Sequence, residues 1–247
     1  QGLASAQPYG DWLKQNLLSL NDLPAAPHVP GPDHNTLLNR QIAFGYSHED
    51  LKMIMAPMAL DGQEAIGSMG DDAPLAVLSE KPQLLFNYFK QLFAQVTNPP
   101  LDAIREELVT SVFTTVGPEG DLLNAGPDNC HQIELKSPIL DNDEFARFKL
   151  AGDKGFKSIT LSMVFPAGSG GAGLEKALDE LFRSASRAVD AGAKILILSD
   201  RGIDKDSVAI PSLLATAGLH HHMIRSGRRT KVGIIVESGE PRETHHM

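Results

Sequence analysis

Apolar residues recur with two different periods along this chain, and the pattern changes near Lys157. Beyond it, three apolar runs have the length of a strand, at 158–165, 194–199 and 231–237. Two stretches with helical spacing separate them, at 174–191 and 207–217. The run at 194–199 is continuously apolar, which is typical of a strand buried on both faces of a parallel sheet. Strand, helix, strand, helix, strand at this spacing predicts parallel strands joined by right-handed crossovers.

Before Lys157 the pattern is mainly helical. Apolar spacings of three and four predict helices at 9–16, from about Asp33 to Phe44, in the stretch that follows Ser47, and from Pro82 to Ala94. Ser47 is expected to be the N-cap of its helix. The side chains expected to face the core from the second of these are Leu37, Leu38, Ile42 and Ala43. Shorter elements are predicted at 105–109 (helix or strand), at 133–135 (strand), after Asp141 (helix) and near Pro241 (a last helix). The chain is therefore predicted to be an α/β fold with a helical N-terminal half.

Two loop-like stretches bracket the helix predicted at 82–94. They read Gly-Ser-Met-Gly-Asp-Asp at 67–72 and Gln-Val-Thr-Asn-Pro-Pro at 95–100. Gly, Pro, Ser, Asp and Asn favour special backbone shapes rather than regular elements. Binding residues often sit on loops held by a rigid scaffold, so these stretches are the first candidates for a functional surface.

Composition narrows the class of protein. The chain has 247 residues, of which 42% are hydrophobic and 21% charged, as expected for a globular protein with a core. A formal net charge of −9 argues against non-specific nucleic-acid binding. No apolar run reaches the roughly 18 to 20 residues of a membrane span. The single cysteine, Cys130, rules out an internal disulfide and fits a reducing compartment, so a cytoplasmic location is expected.

Two motifs near predicted strand ends are candidates for ligand binding. The glycine-rich stretch Gly168 to Gly173 follows a strand and precedes a helix, a context that suits phosphate at a helix N-terminus. It lacks the Lys-Ser/Thr of a Walker motif, and we favour a plain flexible loop. Asp200 and Arg201 follow the second strand, at the sheet edge where sites form in parallel α/β folds. They either bind a ligand or pair with each other and cap the next helix.

The remaining polar motifs have structural interpretations that we favour. Three consecutive histidines, 220–222, point in different directions on a helix and rarely meet on one ion, so no metal site is expected there or at 245–246. Cys130 and His131 are neighbours in sequence, whereas catalytic partners usually meet through the fold. The cluster at 105–107 is either an ion-pair switch or a structural arginine–carboxylate contact.

Several motifs together resemble the central domain of the large subunit of glutamate synthase. The two longest are Gly-Ser-Met-Gly-Asp-Asp-Ala-Pro-Leu-Ala-Val-Leu-Ser at 67–79 and Leu-Phe-Ala-Gln-Val-Thr-Asn-Pro-Pro at 92–100. Arg-Glu-Glu, Lys-Ser-Pro-Ile-Leu, Ile-Leu-Ser-Asp-Arg and Val-Glu-Ser-Gly-Glu look like the same domain, at 105–107, 136–140, 197–201 and 236–240. The similarity covers nearly the whole chain in order. It implies a partial (β/α) barrel-like fold.

The resemblance also implies a function. A full-length enzyme of this family makes two glutamates from glutamine and 2-oxoglutarate, with electrons from ferredoxin or a nicotinamide-dependent small subunit. An amidotransferase domain releases ammonia, and an FMN-binding barrel with an iron–sulfur cluster reduces the resulting 2-iminoglutarate. The central domain lies between them, helps to wall the ammonia tunnel and binds no cofactor itself.

Five residues are carried over from the resemblance as lining of the tunnel or of the synthase site. Met69 and Thr97 are the main positions, with Ser68, Gly70 and Asn98 as neighbours. A passage for neutral ammonia needs small, neutral walls, to which Thr and Asn bring hydrogen-bonding groups and Met a soft apolar surface. The alternative is that both loops are rigid turns that pack a domain interface.

The departures from the family define the expected domain boundaries. The chain has no N-terminal cysteine nucleophile and no cysteine cluster. Residues 1–32 are expected to connect to a missing amidotransferase domain, and residues 33–247 to form a central α/β domain truncated at its C-terminus. Such a fragment is expected to be inactive alone, with no catalytic residue of its own. Two other readings remain: a freestanding barrel-like α/β enzyme that uses Asp200, Arg201 and the glycine-rich stretch on a phosphorylated small molecule, and a pure interaction module.

Overall fold

A computed structural model describes residues 2–3, 5–63, 74–90 and 101–247 of the chain. Its centre is a parallel sheet of β4 (Ser158–Ser162), β6 (Ile195–Ser199) and β8 (Gly233–Glu237), in the order β4-β6-β8. The register pairs Ser162 with Ser199 and Ser199 with Glu237 at the carboxyl ends. The predicted α/β class with parallel strands in the C-terminal half is confirmed, and no closed barrel forms within the described residues.

The central strand β6 separates two hydrophobic cores. On one face, Leu196 and Leu198 pack with α6 (Gly170–Asp190) and α7 (Ser212–Arg225). On the other, Ile195 and Ile197 pack with Phe148 and Phe156. Because every residue of β6 is buried, the continuously apolar run predicted at 194–199 has the expected environment.

The N-terminal half is mainly helical, as predicted. Its helices are α1 (Tyr9–Asn16), α2 (His34–Ala43), a π-helix (Asp50–Met55) that runs into α3 (Ala56–Asp61), α4 (Ala103–Val109) and α5 (Asn142–Lys149). A small sheet of β1 (Leu18–Ser19), β3 (Ile133–Leu135) and β2 (Thr114–Val116) lies beside them, in the order β1-β3-β2.

Two predicted helix caps are confirmed. The Asp50 amide donates to Ser47 Oγ at 3.1 Å, and the Glu144 amide donates to Asp141 Oδ1 at 2.7 Å. Glu144 in turn accepts a hydrogen bond from the Asp141 amide at 3.1 Å, which completes a capping box. Both caps were readable from sequence because they involve residues only three apart.

Three elements of the C-terminal half differ from the prediction. The run at 158–165 is two strands, because the chain turns at Met163, whose carbonyl accepts from the Ile210 amide at 2.7 Å. β5 (Val164–Pro166) then pairs antiparallel with β7 (Ser207–Ala209), so the helix predicted at 207–217 is wrong in its first part. That helix, α7, begins only after Pro211. The glycine-rich stretch is not a loop throughout, since α6 begins at Gly170.

Predictions for three other segments were also wrong in part. Leu38 and Ile42 of α2 are 63% and 65% exposed, so they do not face the core. The helix predicted at 82–94 is a single short 3₁₀ turn, Leu85–Phe89, within its described part, and residues 91–94 lie outside the described residues. The helix predicted near Pro241 is a 3₁₀ turn at Thr244–His246. The last two segments contact each other, because the Phe86 ring stacks on the His246 ring with centroids 4.3 Å apart. This tertiary contact favours the observed 3₁₀ turns over the predicted helices.

Candidate functional site

The residues predicted to line a tunnel lie outside the described part of the structure. Ser68, Met69 and Gly70 fall within 64–73, and Thr97 and Asn98 fall within 91–100. Their role therefore stays a prediction. The structure does describe the residues that adjoin both stretches in sequence, and the polar edge of the parallel sheet.

The carboxyl ends of β6 and β8 bring one predicted pair, Asp200 and Arg201, next to a carboxylate that sequence reasoning missed. Glu237 ends β8 and accepts hydrogen bonds from Ser199 Oγ at 2.5 Å and from Arg201 Nε. Lys149 Nζ lies 3.6 Å from the same carboxylate. Arg201 also donates from Nη2 to Asn142 Oδ1 at 2.8 Å, which ties the edge of the sheet to the start of α5.

These contacts control the charge on Glu237. Burial alone would raise the pKa of Glu237, but the hydrogen bonds from Ser199 and Arg201 outweigh it and leave the pKa below its ordinary value. The group is therefore an ionised carboxylate whose two oxygens are both engaged. Its role is to join β8 to β6 and to fix the Arg201 side chain.

The pKa of Asp200 is shifted in the opposite direction, above its ordinary value. Its side chain is buried, and burial raises its pKa even though Ser238 Oγ and the Gly239 amide donate to it. The Ser238 hydroxyl lies 2.5 Å from Oδ2, and the Gly239 amide lies 3.3 Å from both oxygens. Asp200 thus holds the turn that follows β8 against the end of β6. Its role is structural, but its partners are Ser238 and Gly239 rather than Arg201 or the next helix.

A cavity of about 470 Å³ opens between this edge and the N-terminal helices. Asp200, Arg201 and Glu237 form its sheet side, and Arg40 and Phe44 stand on its helical side. The described lining includes none of the glycine-rich residues 168–173. The structure therefore does not assemble the phosphate site that would combine that stretch with Asp200 and Arg201.

Arg242 anchors the N-terminal helices to the end of β8. Its side chain is only 2% exposed, and Nη1 lies 2.8 Å from Asp50 Oδ2. Its guanidinium also donates to the carbonyl oxygens of Phe44 at 2.5 Å and Gly45 at 3.2 Å. The Tyr46 ring stacks 3.8 Å from the Arg242 Cζ atom. We call Arg242, Asp50, Tyr46 and the Phe44 and Gly45 carbonyls the Arg242 clasp.

A second buried cluster follows directly in sequence. Lys90 Nζ lies 3.0 Å from Glu243 Oε1, and His246 Nε2 lies 3.1 Å from the same oxygen without the alignment of a hydrogen bond. His246 Nδ1 accepts from the Arg242 amide at 3.1 Å. Glu243 and His246 are both buried. The cluster therefore ties the end of the described segment 74–90 to the tail of the chain.

His246 should make stability depend on pH. Burial lowers the pKa of His246 to about 4, an effect that Glu243 opposes and that His245, Lys90 and Arg242 reinforce. The ordinary pKa of histidine is about 6.5, so between about pH 6.5 and about pH 4 the unfolded chain binds more protons than the folded chain. The free energy of unfolding therefore falls as the pH falls through this window.

The variant His246→Phe keeps a ring against Phe86 and removes the titration. We expect its urea midpoint to change less than that of the wild type between about pH 7 and about pH 5. The control is His221→Phe, since His221 is an exposed histidine of α7. An unaltered pH dependence in His246→Phe would show that another group carries it.

The other polar motifs have structural roles where they are described. His222 Nε2 pairs with Ser186 Oγ at 2.8 Å, and His220 Nδ1 accepts from Arg229 Nε at 3.0 Å. Arg105 lies 3.4 Å from Asp102 in an exposed ion pair, which supports the structural reading of that cluster.

No group of metal-ligating side chains is found among the described residues. Within the same ranges, no helix has the length and apolarity needed to span a membrane.

The Arg242 clasp and the Lys90–Glu243–His246 cluster were not predicted from sequence. The stretches on either side of Arg242 and Glu243, 236–240 and 245–246, were noticed, but no local signal pairs Arg242 with Asp50, which is 192 residues away. A buried arginine is recognisable only once its surroundings are known, because arginine is usually exposed.

Comparisons with known proteins point to one family. A family model described as the glutamate synthase central domain matches residues 39–247. The NADPH glutamate synthase large chain of Bacillus subtilis is 47% identical over 245 residues, covering 99% of this chain and 16% of that protein. The NADH glutamate synthase of Saccharomyces cerevisiae is 46% identical over 210 residues, covering 84% of this chain and 10% of that protein.

A plant protein is also similar over nearly the whole chain. The ferredoxin-dependent chloroplastic glutamate synthase of Spinacia oleracea is 42% identical over 248 residues, covering 99% of this chain and 15% of that protein. The chain thus spans about a sixth or less of the length of these three curated relatives.

Proposed function

The chain belongs to the glutamate synthase central domain family, and on that premise we propose that it is the linking domain of a glutamate synthase large subunit. It is proposed to couple ammonia released from glutamine to reductive synthesis of glutamate from 2-oxoglutarate. The three relatives named above support this reading, because each aligns with the chain over only a small part of a much longer glutamate synthase.

The proposed contribution of this domain is a wall of the ammonia passage. Met69 and Thr97 would line it, with Ser68, Gly70 and Asn98 beside them. Both stretches continue directly from described segments, and Lys90, the last residue before 91–100, is held by Glu243 at 3.0 Å. A passage wall needs this kind of fixed framework, since ammonia transfer depends on excluding bulk water.

The proposed domain organisation follows from the same premise. Residues 1–32 would connect to an amidotransferase domain, and residues 33–247 would form the central domain, with an FMN-binding domain as its other neighbour. The names of the relatives include NADPH, NADH and ferredoxin, so either ferredoxin or a nicotinamide-dependent small subunit is the proposed donor. The proposed location is the cytoplasm, as in the sequence-based expectation, whereas the spinach relative is named chloroplastic.

The iron–sulfur cluster of such an enzyme does not fit this chain. Iron–sulfur clusters are held mainly by several cysteine thiolates, and the chain contains Cys130 alone. The cluster is therefore assigned to the neighbouring domain, and FMN is proposed to bind there as well. The observation that best supports a non-catalytic role here is the internal hydrogen bonding of Asp200 and Glu237, which occupies the carboxylates at the edge where α/β enzymes usually place their chemistry.

The absence of a flavin site can be tested by titration. We expect the purified chain to leave FMN fluorescence unchanged apart from dilution, because its proposed role requires no flavin. A full-length glutamate synthase stripped of FMN serves as the positive control. Saturable quenching by the isolated chain at a one-to-one ratio would contradict the non-flavin assignment.

A further inference from the structure

The cavity at the carboxyl edge of the sheet has the size and position of a ligand site. Its volume of about 470 Å³ falls within the range of roughly 300 to 1,000 Å³ that is usual for small-molecule pockets. It lies where β6 and β8 end, and ligands of parallel α/β sheets bind outside these strand ends.

Several side chains of the cavity wall have hydrogen-bond donors to offer. A guanidinium carries five N–H donors, and Arg201 uses Nε on Glu237 and Nη2 on Asn142, which leaves further N–H groups available. Arg40 of α2 makes no side-chain hydrogen bond or ion pair within the described part of the chain. The side-chain amide nitrogen of Asn142 adds a further donor.

The acidic groups of the same wall are already engaged. Both oxygens of Glu237 accept from Ser199 and Arg201, and both oxygens of Asp200 accept from the turn that follows β8. Asp33 accepts from the Asn35 amide at 3.2 Å as the N-cap of α2. Two arginines from two separate elements therefore face the cavity with N–H groups to offer.

Apolar side chains form a further part of the wall. Leu37 and Phe44 of the helical side and Ile203 of the sheet side line the same cavity as the arginines. An inorganic anion would leave this surface in contact with water, whereas an aliphatic chain would cover it. The lining therefore favours an organic ligand with anionic ends.

We propose that this cavity binds a small organic dicarboxylate, with one carboxylate on Arg40 and the other on Arg201. Arginine and carboxylate form bidentate, charge-assisted hydrogen bonds, and the planar fork gives the pair its geometric specificity. The ligand would join α2 to the sheet and so add to the link that the Arg242 clasp already makes. The site does not depend on the proposed coupling role, because none of the residues that carry it is a proposed passage residue and binding is measured without turnover.

Isothermal titration calorimetry with a series of unbranched dicarboxylates, from malonate to adipate at constant ionic strength, tests the proposal. We expect saturable one-site binding with a clear optimum of chain length, because α2 and the end of β6 place the two arginines on different sides of one cavity. Arg40→Gln should weaken the best ligand by at least about tenfold, and Arg40→Lys should give an intermediate loss. Acetate and inorganic phosphate should bind much more weakly.

Two controls separate this site from general anion binding. Arg183→Gln removes an exposed arginine of α6 that pairs with Glu180 at 3.1 Å, and it should leave the affinity unchanged. Urea midpoints establish that each variant is folded. The proposal is overturned if the wild type shows no saturable binding to any member of the series, if phosphate binds as well as the best dicarboxylate, or if Arg40→Gln binds like the wild type.

Discussion

Arg242→Met is expected to destabilise the folded chain by about 3–5 kcal/mol, the usual loss when one partner of a buried ion pair is removed. The arginine is 2% exposed and satisfies Asp50 together with the carbonyls of Phe44 and Gly45. Methionine fills much of the aliphatic volume and still contacts the Tyr46 ring, but it donates no hydrogen bond. Its introduction leaves four acceptors without their shared donor, because the Arg242 Nε also donates to the Glu240 carbonyl at 3.3 Å, and their desolvation is no longer offset.

Urea denaturation of both proteins, followed by circular dichroism, measures this loss. The matched control is Arg228→Met, which removes an arginine that also binds a carboxylate through two nitrogens, Nε at 2.9 Å and Nη2 at 2.8 Å from Asp190. Because that pair is exposed to solvent, its removal should shift the urea midpoint far less. Equal shifts for the two variants would show that the Arg242 clasp contributes no more than a surface ion pair.

Thr97→Trp is expected to have the largest effect on activity, when placed in the full-length enzyme. If Thr97 lines the passage, the indole fills it, and glutamine-dependent glutamate formation should fall by about tenfold to a hundredfold, as for other steps that depend on exact positioning. Glutamate formation from added ammonium should persist, because that route bypasses the passage. Both rates are followed by the oxidation of the electron donor.

Thr97→Ser is the control for this position. It retains the hydroxyl and adds no volume, so the ratio of the two rates should stay at the wild-type value. An equal loss of both activities in Thr97→Trp would indicate a folding defect, and an unchanged ratio would remove Thr97 from the passage. Met69→Trp provides an independent test of the second stretch, with the same expectation.

The sheet and its helices were predictable because their signals are local. The run at 194–199 is apolar throughout, which only a strand buried on both faces requires, and β6 is buried at every position. The caps at Ser47 and Asp141 involve residues three apart, so a short motif was enough to place them.

The errors occurred where distant contacts override local preference. Ser207 to Ala209 form a strand because β5 offers an antiparallel partner, although their sequence also suits a helix start. Leu38 and Ile42 have helical apolar spacing, yet α2 turns them toward solvent and places Arg40 and Leu37 at the cavity.

The candidate site was predicted only in part. Asp200 and Arg201 were identified from their position after a predicted strand. The partner of Arg201, Glu237, lies on another strand, and the motif at 236–240 that contains it gave it no role. The Arg242 clasp joins residues from opposite ends of the chain, and neither periodicity nor spacing encodes such a pair. The family resemblance supplied the passage residues, which composition and periodicity did not show.

Isotope tracing in the full-length enzyme tests the proposed coupling role most directly. Glutamine labelled with ¹⁵N in its amide is supplied together with unlabelled ammonium at a concentration too low to support glutamate formation by itself, and the label in the newly formed glutamate is measured by mass spectrometry. The proposed role of the domain predicts that the wild type retains nearly all of the label and that Thr97→Trp loses a large part of it to the medium. Dilution of the label to the ratio of the bulk solution in the wild type, or full retention in Thr97→Trp, would contradict it.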